Sequence, residues 1–233
     1  MKIALLGYGK MGKMIDSYAK KRKHRICFIL DRDYEKGSLI EADVAINFSV
    51  PESAVSNIKL ALENKIPVVC GTTGWLNRIS EVEKFCIKNN SGFLYASNFS
   101  IGVNIFFKVN KYLAKLMSPE TLGYRASIEE IHHAEKLDSP SGTAISLAED
   151  IINNSEYEKW ELGTQNKKSL KIESIRDGDN PGTHSVNYFS KLDEISIKHE
   201  AYKRDGFALG AVIAAEWLVN KKGIFSMNDV LKI

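Results

Sequence analysis

A cluster of residues able to bind and exchange protons lies between Glu129 and Ala144, where the chain reads EEIHHAEKLDSPSGTA. His132 and His133 are adjacent, and Lys136 follows His132 by four residues. An imidazole changes its charge near neutral pH, and a lysine adds a full positive charge. This combination favours an acid-base site for a small acidic substrate.

The end of the same stretch is a candidate binding site for a carboxylate. Ser141, Gly142 and Thr143 stand at the start of the helical pattern TAISLAEDII. The first turn of a helix leaves backbone N–H groups unpaired and carries the positive end of the helix dipole. The turn therefore predicts an anion site, to which Lys136 would add its charge.

Two other interpretations of the histidine pair deserve comparison. A metal site is not expected, because adjacent strand residues face opposite sides of a sheet and no second histidine or cysteine cluster supplies further ligands. A structural role, with one histidine in the core and one in solvent, is the ordinary outcome for a lone histidine. The nearby lysine and helix start favour the acid-base interpretation over the structural one.

A glycine-rich loop near the N-terminus indicates a dinucleotide site. The residues from Gly7 to Gly12, GYGKMG, satisfy G-x-G-x-x-G directly after a strand pattern and before a helix pattern. Gly7 allows the tight turn, Gly9 lets the backbone approach a pyrophosphate, and Gly12 permits close packing of the helix. The alternative is a glycine-rich turn with a surface aspartate at Asp31, and the combination of strand, turn, helix and acidic residue favours the dinucleotide site over it.

The choice between NADH and NADPH stays open at this stage. Asp31 ends the second predicted strand, at the distance where a carboxylate binds the ribose hydroxyls of a dinucleotide. Arg32 could bind the 2′-phosphate of NADPH, whereas Asp31 would repel it. Use of NADH, NADPH or both is therefore compatible with the sequence.

Two further loops follow predicted strands of the same half of the chain. Open α/β sheets bind ligands at the carboxyl ends of their strands, so both loops are candidates for the nicotinamide end of the cofactor, although each alone could be an ordinary turn. They comprise Gly71, Thr72, Thr73 and Gly74 after IPVVC, and Ala96, Ser97, Asn98 and Phe99 after GFLY.

The first half of the chain alternates strand and helix patterns, which predicts a doubly wound parallel sheet. Strands are expected over 2–7, 25–30, 43–49, 66–70 and 92–96, with helices over 11–21, from Pro51 onward and over 79–88. The second half has a helix over 102–117, a strand over 126–133, a helix after Gly142 and then β-like segments around 169–176, 184–189 and 194–202. Consecutive strands predict an antiparallel or mixed sheet. The last helix, Phe207 to Val219, is apolar on nearly every side and must be covered all round.

Composition excludes several classes of protein. Of the 233 residues, 44% are hydrophobic and 26% charged, which is typical of a globular protein and not of a disordered one. The net charge of +3 is spread along the chain, so no nucleic-acid partner is expected. Neither a signal peptide nor a segment long enough to span a membrane is apparent, and the scattered Cys27, Cys70 and Cys86 predict no disulfide, so a cytoplasmic protein is expected.

Taken together, several motifs resemble those of the dihydrodipicolinate reductase family. They are GYGKMG, GTTG at 71–74, ASNFSIGVN at 96–104, EEIHHAEKLDSPSGTA at 129–144 and FSMNDVL at 225–231. The resemblance spans nearly the whole chain and depends most on the specific HHAEKLDSPSGTA block. It implies NADH- or NADPH-dependent reduction of 4-hydroxy-tetrahydrodipicolinate, via dihydrodipicolinate, to tetrahydrodipicolinate in diaminopimelate and lysine biosynthesis.

The resemblance also implies an architecture. It assigns residues 1–99 to a Rossmann-type domain, completed by residues 206–233, and residues 100–205 to an α+β domain built on a mixed or antiparallel sheet. The second domain binds the small dicarboxylate substrate and forms a homotetramer in this family, so a homotetramer is expected here.

Residue roles carry over by motif. The resemblance makes His132 and Lys136 the proton-transferring residues, and it makes His133, Ser141, Gly142 and Thr143 substrate contacts. The cofactor contacts that it implies are Gly7, Gly9, Lys10, Met11, Gly12, Asp31, Arg32 and the loops 71–74 and 96–99. Arg204 and Phe207 align with a family segment near the nicotinamide.

Two departures from the family pattern affect the cofactor half. Only fifteen residues separate Arg32 from Phe48, which predicts that a βα unit is shortened or absent. Asn47-Phe48-Ser49 stands where the family has Asp-Phe-Thr. Two alternatives remain beside the family function: another NAD(P)-dependent dehydrogenase with an appended sheet domain, and a dinucleotide-sensing regulator, for which no helix-turn-helix pattern is apparent.

Overall fold

The computed structural model of the protein describes residues 1–118, 123–164, 166–203 and 205–233. Arg204 lies outside the described residues. The strands are β1 (Lys2–Leu6), β2 (Arg25–Asp31), β3 (Tyr34–Gly37), β4 (Val44–Asn47), β5 (Val68–Cys70), β6 (Gly92–Tyr95), β7 (Arg125–His132), β8 (Lys159–Leu162), β9 (Ser169–Arg176), β10 (Thr183–Phe189), β11 (Glu194–Glu200) and β12 (Gly223–Phe225). The helices are α1 (Lys10–Lys21), α2 (Pro51–Glu63), α3 (Ile79–Lys88), α4 (Ile101–Leu116), α5 (Gly142–Ile152), α6 (Asp205–Leu218) and α7 (Met227–Leu231).

The chain divides into two compact units. Unit 1 comprises Met1–Ile101 and Asp205–Ile233, and unit 2 comprises Gly102–Arg204. Among the described residues, every helix is too short or too polar to cross a bilayer. The fold class is the predicted one, a parallel-rich sheet in one unit and a mixed sheet in the other.

Unit 1 is built on a seven-stranded sheet with the order β12-β6-β5-β4-β1-β2-β3. All neighbouring strands are parallel except β2 and β3. Strands β1, β4 and β5 are buried almost throughout, because helices cover both faces of the sheet. Successive strands are added on one side of β1 up to β3 and on its other side from β4 onward, and the carboxyl ends of β1 and β4 mark the crevice where such sheets bind ligands.

Separate apolar cores cover the two faces of this sheet. On one face, Val55 and Ile58 of α2 pack with Val82 and Cys86 of α3. On the other face, Ile15 of α1 packs with the buried side of α6. The opposite side of α6, with Leu209, Ile213, Glu216 and Trp217, is half-buried, so the prediction that this helix is covered all round holds only in part. Gly210 is required within α6, since a Cβ atom there would lie 1.8 Å from the Phe99 carbonyl oxygen.

The short segment after Arg32 forms a hairpin instead of a βα unit. Strand β3 pairs antiparallel with β2, a 3₁₀ turn over Leu39–Glu41 follows, and the chain then enters β4. No α-helix lies between β2 and β4, all of whose connecting residues are described. This agrees with the prediction of a shortened unit. Strand β3 itself was missed, because YEKG has no apolar alternation and is exposed along its length.

Unit 2 is a five-stranded mixed sheet with the order β11-β10-β7-β9-β8. Strand β7 pairs antiparallel with β10 and parallel with β9. Its residues alternate between buried and half-buried, and the buried face packs against α5 in a core that includes Ile128, Leu147, Leu170 and Val186. The same buried face carries Glu130 and His132 at its carboxyl end.

Candidate active site

The glycine loop between β1 and α1 has the geometry of a phosphate-binding turn. Gly7 has φ +101°, and a Cβ atom there would lie 2.2 Å from the Phe48 carbonyl oxygen, so only glycine fits. A Cβ on Gly12 would lie 2.3 Å from the Gly7 carbonyl oxygen. Gly9, in contrast, has no protein atom within 4 Å of its Cβ position. The loop is therefore closely packed at both ends and open at Gly9, at the N-terminus of α1.

Tyr8 fastens this loop to its own helix. Its hydroxyl donates a 2.6 Å hydrogen bond to the Asp16 carboxylate, which also pairs with Lys20 at 3.0 Å. The bond to Asp16 raises the pKa of Tyr8 to about 12, so the phenol stays protonated and keeps donating. The loop is held in place without any side chain occupying the space beside Gly9.

A cavity of about 650 Å³ opens beside the loop within unit 1. Gly7, Gly9, Asp31 and Arg32 line it, as the sequence predicts for a dinucleotide site. The further lining residues are Leu30, Asp33, Tyr34, Phe48, Ser49, Val50, Ser53 and Asn57. Tyr34 belongs to strand β3, which was not predicted. The hairpin of β2 and β3 therefore forms part of the cavity wall.

The predicted loops 71–74 and 96–99 follow neighbouring strands β5 and β6. The Thr72 hydroxyl accepts a 2.9 Å hydrogen bond from the Ser49 amide, which joins this loop to a residue of the cavity wall. Phe99 is 2% exposed and packs at 5.6 Å from the ring of Phe48. Because the Phe99 side chain lies in the core, Phe99 could contact a ligand only through its backbone. Lys10, Met11 and Gly12 lie in the first turn of α1, and Ala96, Ser97 and Asn98 precede Phe99.

In unit 2, His132 is the last residue of β7 and is 8% exposed. Its ring lies edge to face with His184 of β10, with ring centroids 5.0 Å apart. Its Nε2 faces Gly182, where a Cβ atom would approach to 3.2 Å. His133 is partly exposed and lies just beyond the end of β7, whereas a strand that included both histidines was predicted.

Glu130 is a fully buried carboxylate in the centre of this cluster. It accepts hydrogen bonds from the Ser141 amide at 3.1 Å, the Ser174 hydroxyl at 2.6 Å and the Arg176 guanidinium at 3.3 Å. It also lies 3.6 Å from a ring nitrogen of each of His132 and His184. Five groups from three strands and one helix start thus converge on one side chain.

The start of α5 presents unpaired amides beside this cluster. Ser141 caps the helix by accepting from the Ala144 amide at 3.2 Å, and its hydroxyl lies 3.1 Å from Nε2 of His184. The amides of Gly142 and Thr143 make no hydrogen bond to any of the described residues. Such free amides at a helix N-terminus are suited to bind a carboxylate, as predicted.

Lys136 lies in the loop between β7 and α5 with 19% of its side chain exposed. Its ammonium pairs with the Asp138 carboxylate at 2.6 Å. Arg176 holds the same loop through its bond to the Asp138 carbonyl at 2.6 Å. Lys136 is thus close in sequence and structure to the anion site, but its charge is shared with Asp138 in this state.

The electrostatic state of His132 differs from that of an ordinary histidine. Burial, together with the electrostatic influence of His184, Lys136 and Arg176, lowers the pKa of His132 to about 4, although Glu130 opposes the shift. Burial raises the pKa of Glu130, but the contact with His184 and the hydrogen bonds from Ser141 and Ser174 outweigh that effect and hold this pKa well below its usual range. At neutral pH a neutral imidazole therefore lies beside an ionised carboxylate.

One argument made from the sequence was wrong. It held that no second histidine or cysteine cluster would supply further ligands, whereas ligand atoms of Glu130, His132 and His184 lie within 4.8 Å of one another, a separation that a metal ion could bridge. Arg176, at 3.3 Å from Oε1 of Glu130, places a permanent positive charge beside this cluster. Metal binding is disfavoured by this charge and not by a lack of ligands.

Sequence reasoning missed Glu130, His184, Ser174 and Arg176. Glu130 could have been found from the sequence. It follows Ala126 and Ile128 on the apolar face of a strand whose residues alternate at period two, and an acidic residue on a buried face requires hydrogen-bond or charged partners. The other three residues come from strands more than forty positions along the chain. Only the register of β7 with β9 and β10 brings them to Glu130.

Comparison with known proteins identifies the family. The family model described as dihydrodipicolinate reductase, N-terminus, matches residues 1–99, and the C-terminus model matches residues 102–231. The chain belongs to the dihydrodipicolinate reductase family. The 4-hydroxy-tetrahydrodipicolinate reductase of Christiangramia forsetii is 51% identical over 99% of this chain and 98% of its own length.

More distant members of the dihydrodipicolinate reductase family extend the comparison. The 4-hydroxy-tetrahydrodipicolinate reductase of Buchnera aphidicola is 34% identical, covering 99% of this chain and 89% of that protein. Among solved structures, the dipicolinate-bound dihydrodipicolinate reductase from Paenisporosarcina sp. TG-14 superposes with a TM-score of 0.81 at 21% identity, over 98% of each chain. A probable dehydrogenase from Thermotoga maritima has a TM-score of 0.61 at 11% identity, covering 99% of this chain and 92% of its own, so that this likeness concerns the fold alone.

Proposed function

We propose that this chain reduces 4-hydroxy-tetrahydrodipicolinate, via dihydrodipicolinate, to tetrahydrodipicolinate with NADH or NADPH. In the balanced reaction the hydroxy-dicarboxylate, the reduced nucleotide and a proton give the reduced ring, the oxidised nucleotide and water. The observation that carries the proposal is the pair of free amides at the start of α5 beside the buried His132, within a chain of this reductase family.

The residues of unit 1 fit a dinucleotide. The open space at Gly9, the positive end of α1 and the cavity bounded by Asp31 are features that a pyrophosphate and a ribose would use. When bound, the reduced nicotinamide supplies the hydride. Gly7, Gly9, Lys10, Met11, Gly12, Asp31, Arg32 and the loops 71–74 and 96–99 are the proposed contacts.

The residues of unit 2 bind the dicarboxylate and transfer protons to it. We propose that the Gly142 and Thr143 amides, next to the Ser141 cap, bind one substrate carboxylate. The partly exposed His133 and Lys136 then bind the second carboxylate. Neutralisation of the substrate charges by fixed donors favours addition of hydride to the ring, because the ring gains negative charge in that step.

Proton transfer is assigned to His132 or Lys136. The imidazole of His132 is neutral at neutral pH in the free protein, because its pKa is about 4. A bound dicarboxylate would stabilise the imidazolium form, so substrate binding and proton uptake by His132 should be coupled. Lys136 would exchange its contact with Asp138 for the substrate and provide a second donor.

An assay of NADH and NADPH oxidation tests this function. The substrate is generated in place from pyruvate and aspartate semialdehyde by a coupling synthase. The proposed function predicts nucleotide oxidation only when both precursors and the synthase are present. Oxidation that proceeds equally with simple aldehydes or imines would favour the alternative dehydrogenase, and absence of turnover with either nucleotide would overturn the proposal.

His132→Gln tests the proton-transfer role. We expect kcat to fall by roughly 100- to 10,000-fold, while the KM for nucleotide changes little, because the nucleotide site belongs to unit 1. The exposed surface substitution Lys191→Gln serves as the control and should keep wild-type kinetics. Full turnover by His132→Gln would remove this residue from the proton-transfer step.

The nucleotide preference follows from two neighbouring residues of the cavity. Asp31 favours the free ribose of NADH, and Arg32 is exposed and able to meet the 2′-phosphate of NADPH. We propose that both nucleotides are used. Arg32→Ala should lower kcat/KM for NADPH while leaving that for NADH nearly unchanged, as measured by parallel assays; an equal loss for both would contradict this role.

We also propose that the protein is a homotetramer, as the family resemblance implies. Light scattering coupled to size-exclusion chromatography should then give a mass of about four times that of the 26.1 kDa chain. A mass equal to one chain at working concentration would overturn this proposal without affecting the reaction.

A further inference from the structure

We propose that Glu130 is a positioning residue, which holds His132 and the start of α5 in the arrangement that lets both act on one substrate. The inference rests on the proposed function, because it assumes that these two elements serve the same reaction. Glu130 itself is fully buried, so it does not touch the substrate and acts through its partners.

Both carboxylate oxygens of Glu130 have hydrogen-bond donors. A buried carboxylate without partners would be strongly destabilising. Here the Ser141 amide lies 3.1 Å from each of the two oxygens, and the Ser174 hydroxyl and the Arg176 guanidinium reach one of them. Burial alone would favour the neutral acid, so the donors are what keep the carboxylate ionised.

Glu130 also joins elements that are distant in sequence. Its bond to the Ser141 amide connects β7 to the residue that caps α5, eleven positions later. Its partner Arg176 donates to the backbone carbonyl of Asp138, and more weakly at 3.4 Å to that of Lys136. One carboxylate therefore fixes both ends of the loop that connects His132 with the Gly142 and Thr143 amides.

Several ionisable groups surround His132. The groups that face it are Glu130 on its own strand, Arg176 on β9, His184 on β10 and Lys136 in the following loop. Asp138 pairs with Lys136, and His199 of β11 lies opposite His184 in the register. Among the groups that act on the imidazole, Glu130 is the one that favours its protonated form. The same carboxylate that positions His132 thus also sets its readiness to accept a proton.

Glu130→Gln is the decisive variant, because it keeps the shape and removes the charge. One amide oxygen would still accept, but the amide nitrogen would face donors from Ser141 or Arg176. We expect kcat to fall on the order of 10- to 100-fold and the KM for dicarboxylate to rise, with the KM for nucleotide unchanged. The limb of the pH profile of kcat/KM that reports His132 should move to lower pH.

Glu129→Gln is the matched control. It removes the same charge one residue earlier on β7, where the side chain faces the other side of the sheet and is only half-buried. This variant should keep the wild-type pH profile and kcat. Glu130→Asp, which retains the charge on a shorter side chain, should recover part of the pH profile even where kcat stays low.

A direct titration separates this inference from the proposed function. NMR of ¹³C-labelled histidine should report a lower pKa for His132 in Glu130→Gln than in wild type, whether or not the chain turns over the proposed substrate. An unchanged His132 titration together with an unchanged kcat would overturn the positioning role. Failure of the wild-type assay with a shifted His132 titration would instead count against the proposed function alone.

Ser174→Ala keeps the inference testable where Glu130→Gln does not fold. It removes the hydroxyl that donates at 2.6 Å to Glu130 and leaves the carboxylate in place. Because the carboxylate then has one donor fewer, its negative charge acts more strongly on His132, and the His132 pKa should rise. A His132 titration that stays at its wild-type position in Ser174→Ala would contradict the proposed coupling.

Discussion

At the scale of residues, burial and function act against each other at His132. The imidazole is 8% exposed, and the pKa of about 4 means that the folded protein resists protonating it. An unfolded chain protonates the same group near its ordinary pKa of about 6.5. The residue therefore costs stability at acidic pH, and its imidazole stays neutral at neutral pH in the free protein.

This difference predicts an acid-dependent loss of stability. Between about pH 6.5 and pH 4 the unfolded state binds a proton that folded His132 does not, so the free energy of unfolding should fall as the pH falls through this window. In His132→Gln the free energy of unfolding should fall by less over this pH range, with a difference from wild type on the order of 1 to 3 kcal/mol, measured by urea unfolding at several pH values. Glu130 loses its ionised form at lower pH and adds to the decline in both proteins.

His133→Gln is the control for that measurement. His133 is the next residue along the chain and is partly exposed, so its replacement should leave the pH dependence of stability close to wild type. Parallel curves for wild type and His132→Gln would show that burial of the imidazole does not have the proposed thermodynamic effect.

At the scale of elements, the loop that joins β1 to α1 separates two uses of glycine. Gly12 lies where a Cβ atom would collide with the Gly7 carbonyl, whereas Gly9 has an extended conformation and open space beside it. Gly12 is required by the protein's own packing. Gly9 is required only if a ligand occupies the space beside it.

A pair of alanine substitutions tests this difference. Gly12→Ala should lower the free energy of unfolding by about 1 to 3 kcal/mol through overpacking. Gly9→Ala should leave stability nearly unchanged but raise the KM for nucleotide at least about tenfold, because the methyl group blocks approach of the backbone to the pyrophosphate. Thermal unfolding and steady-state kinetics on both proteins measure the two effects, and wild-type nucleotide KM in Gly9→Ala would reject the phosphate assignment.

The elements also show where sequence patterns suffice and where they do not. The period of two in RASIEEIH predicts β7, and the apolar spacing from Ala54 to Leu62 predicts α2. Each segment has a periodic pattern of apolar residues because one of its sides is buried. Strands β3 and β12 carry no such pattern. They form because β2 and β6 offer unpaired edges, and this information lies in the partner strand.

At the scale of the whole molecule, each unit contains its own candidate ligand site. The motifs of both sites could be located from the sequence, since GYGKMG and HHAEKLDSPSGTA are contiguous. The hydrogen-bonded centre of unit 2 could not, because Glu130, Ser174, Arg176 and His184 meet only through strand pairing. Contiguous motifs are thus readable in advance, and the groups that hold them in position are not.

Ligand-dependent thermal shifts should reflect this division. A ligand that binds only the folded state raises the unfolding temperature in proportion to its affinity. We expect NADH to stabilise wild type and Glu130→Gln equally but to stabilise Gly9→Ala much less. Dipicolinate should show the reverse pattern, and identical losses for both ligands in both variants would contradict separate sites.

The antiparallel strand β3 affects how this protein behaves at high concentration. An open parallel sheet that ended at β2 would offer a seven-residue edge with free backbone groups to a neighbouring chain. Instead the edge is four residues long, fully exposed, and carries Glu35 and Lys36, while Gly37 turns the chain away with φ +91°. The opposite edge, β12, has only three residues. Charged or very short edges at both ends guard the sheet against the intermolecular strand pairing from which amyloid-like aggregates grow.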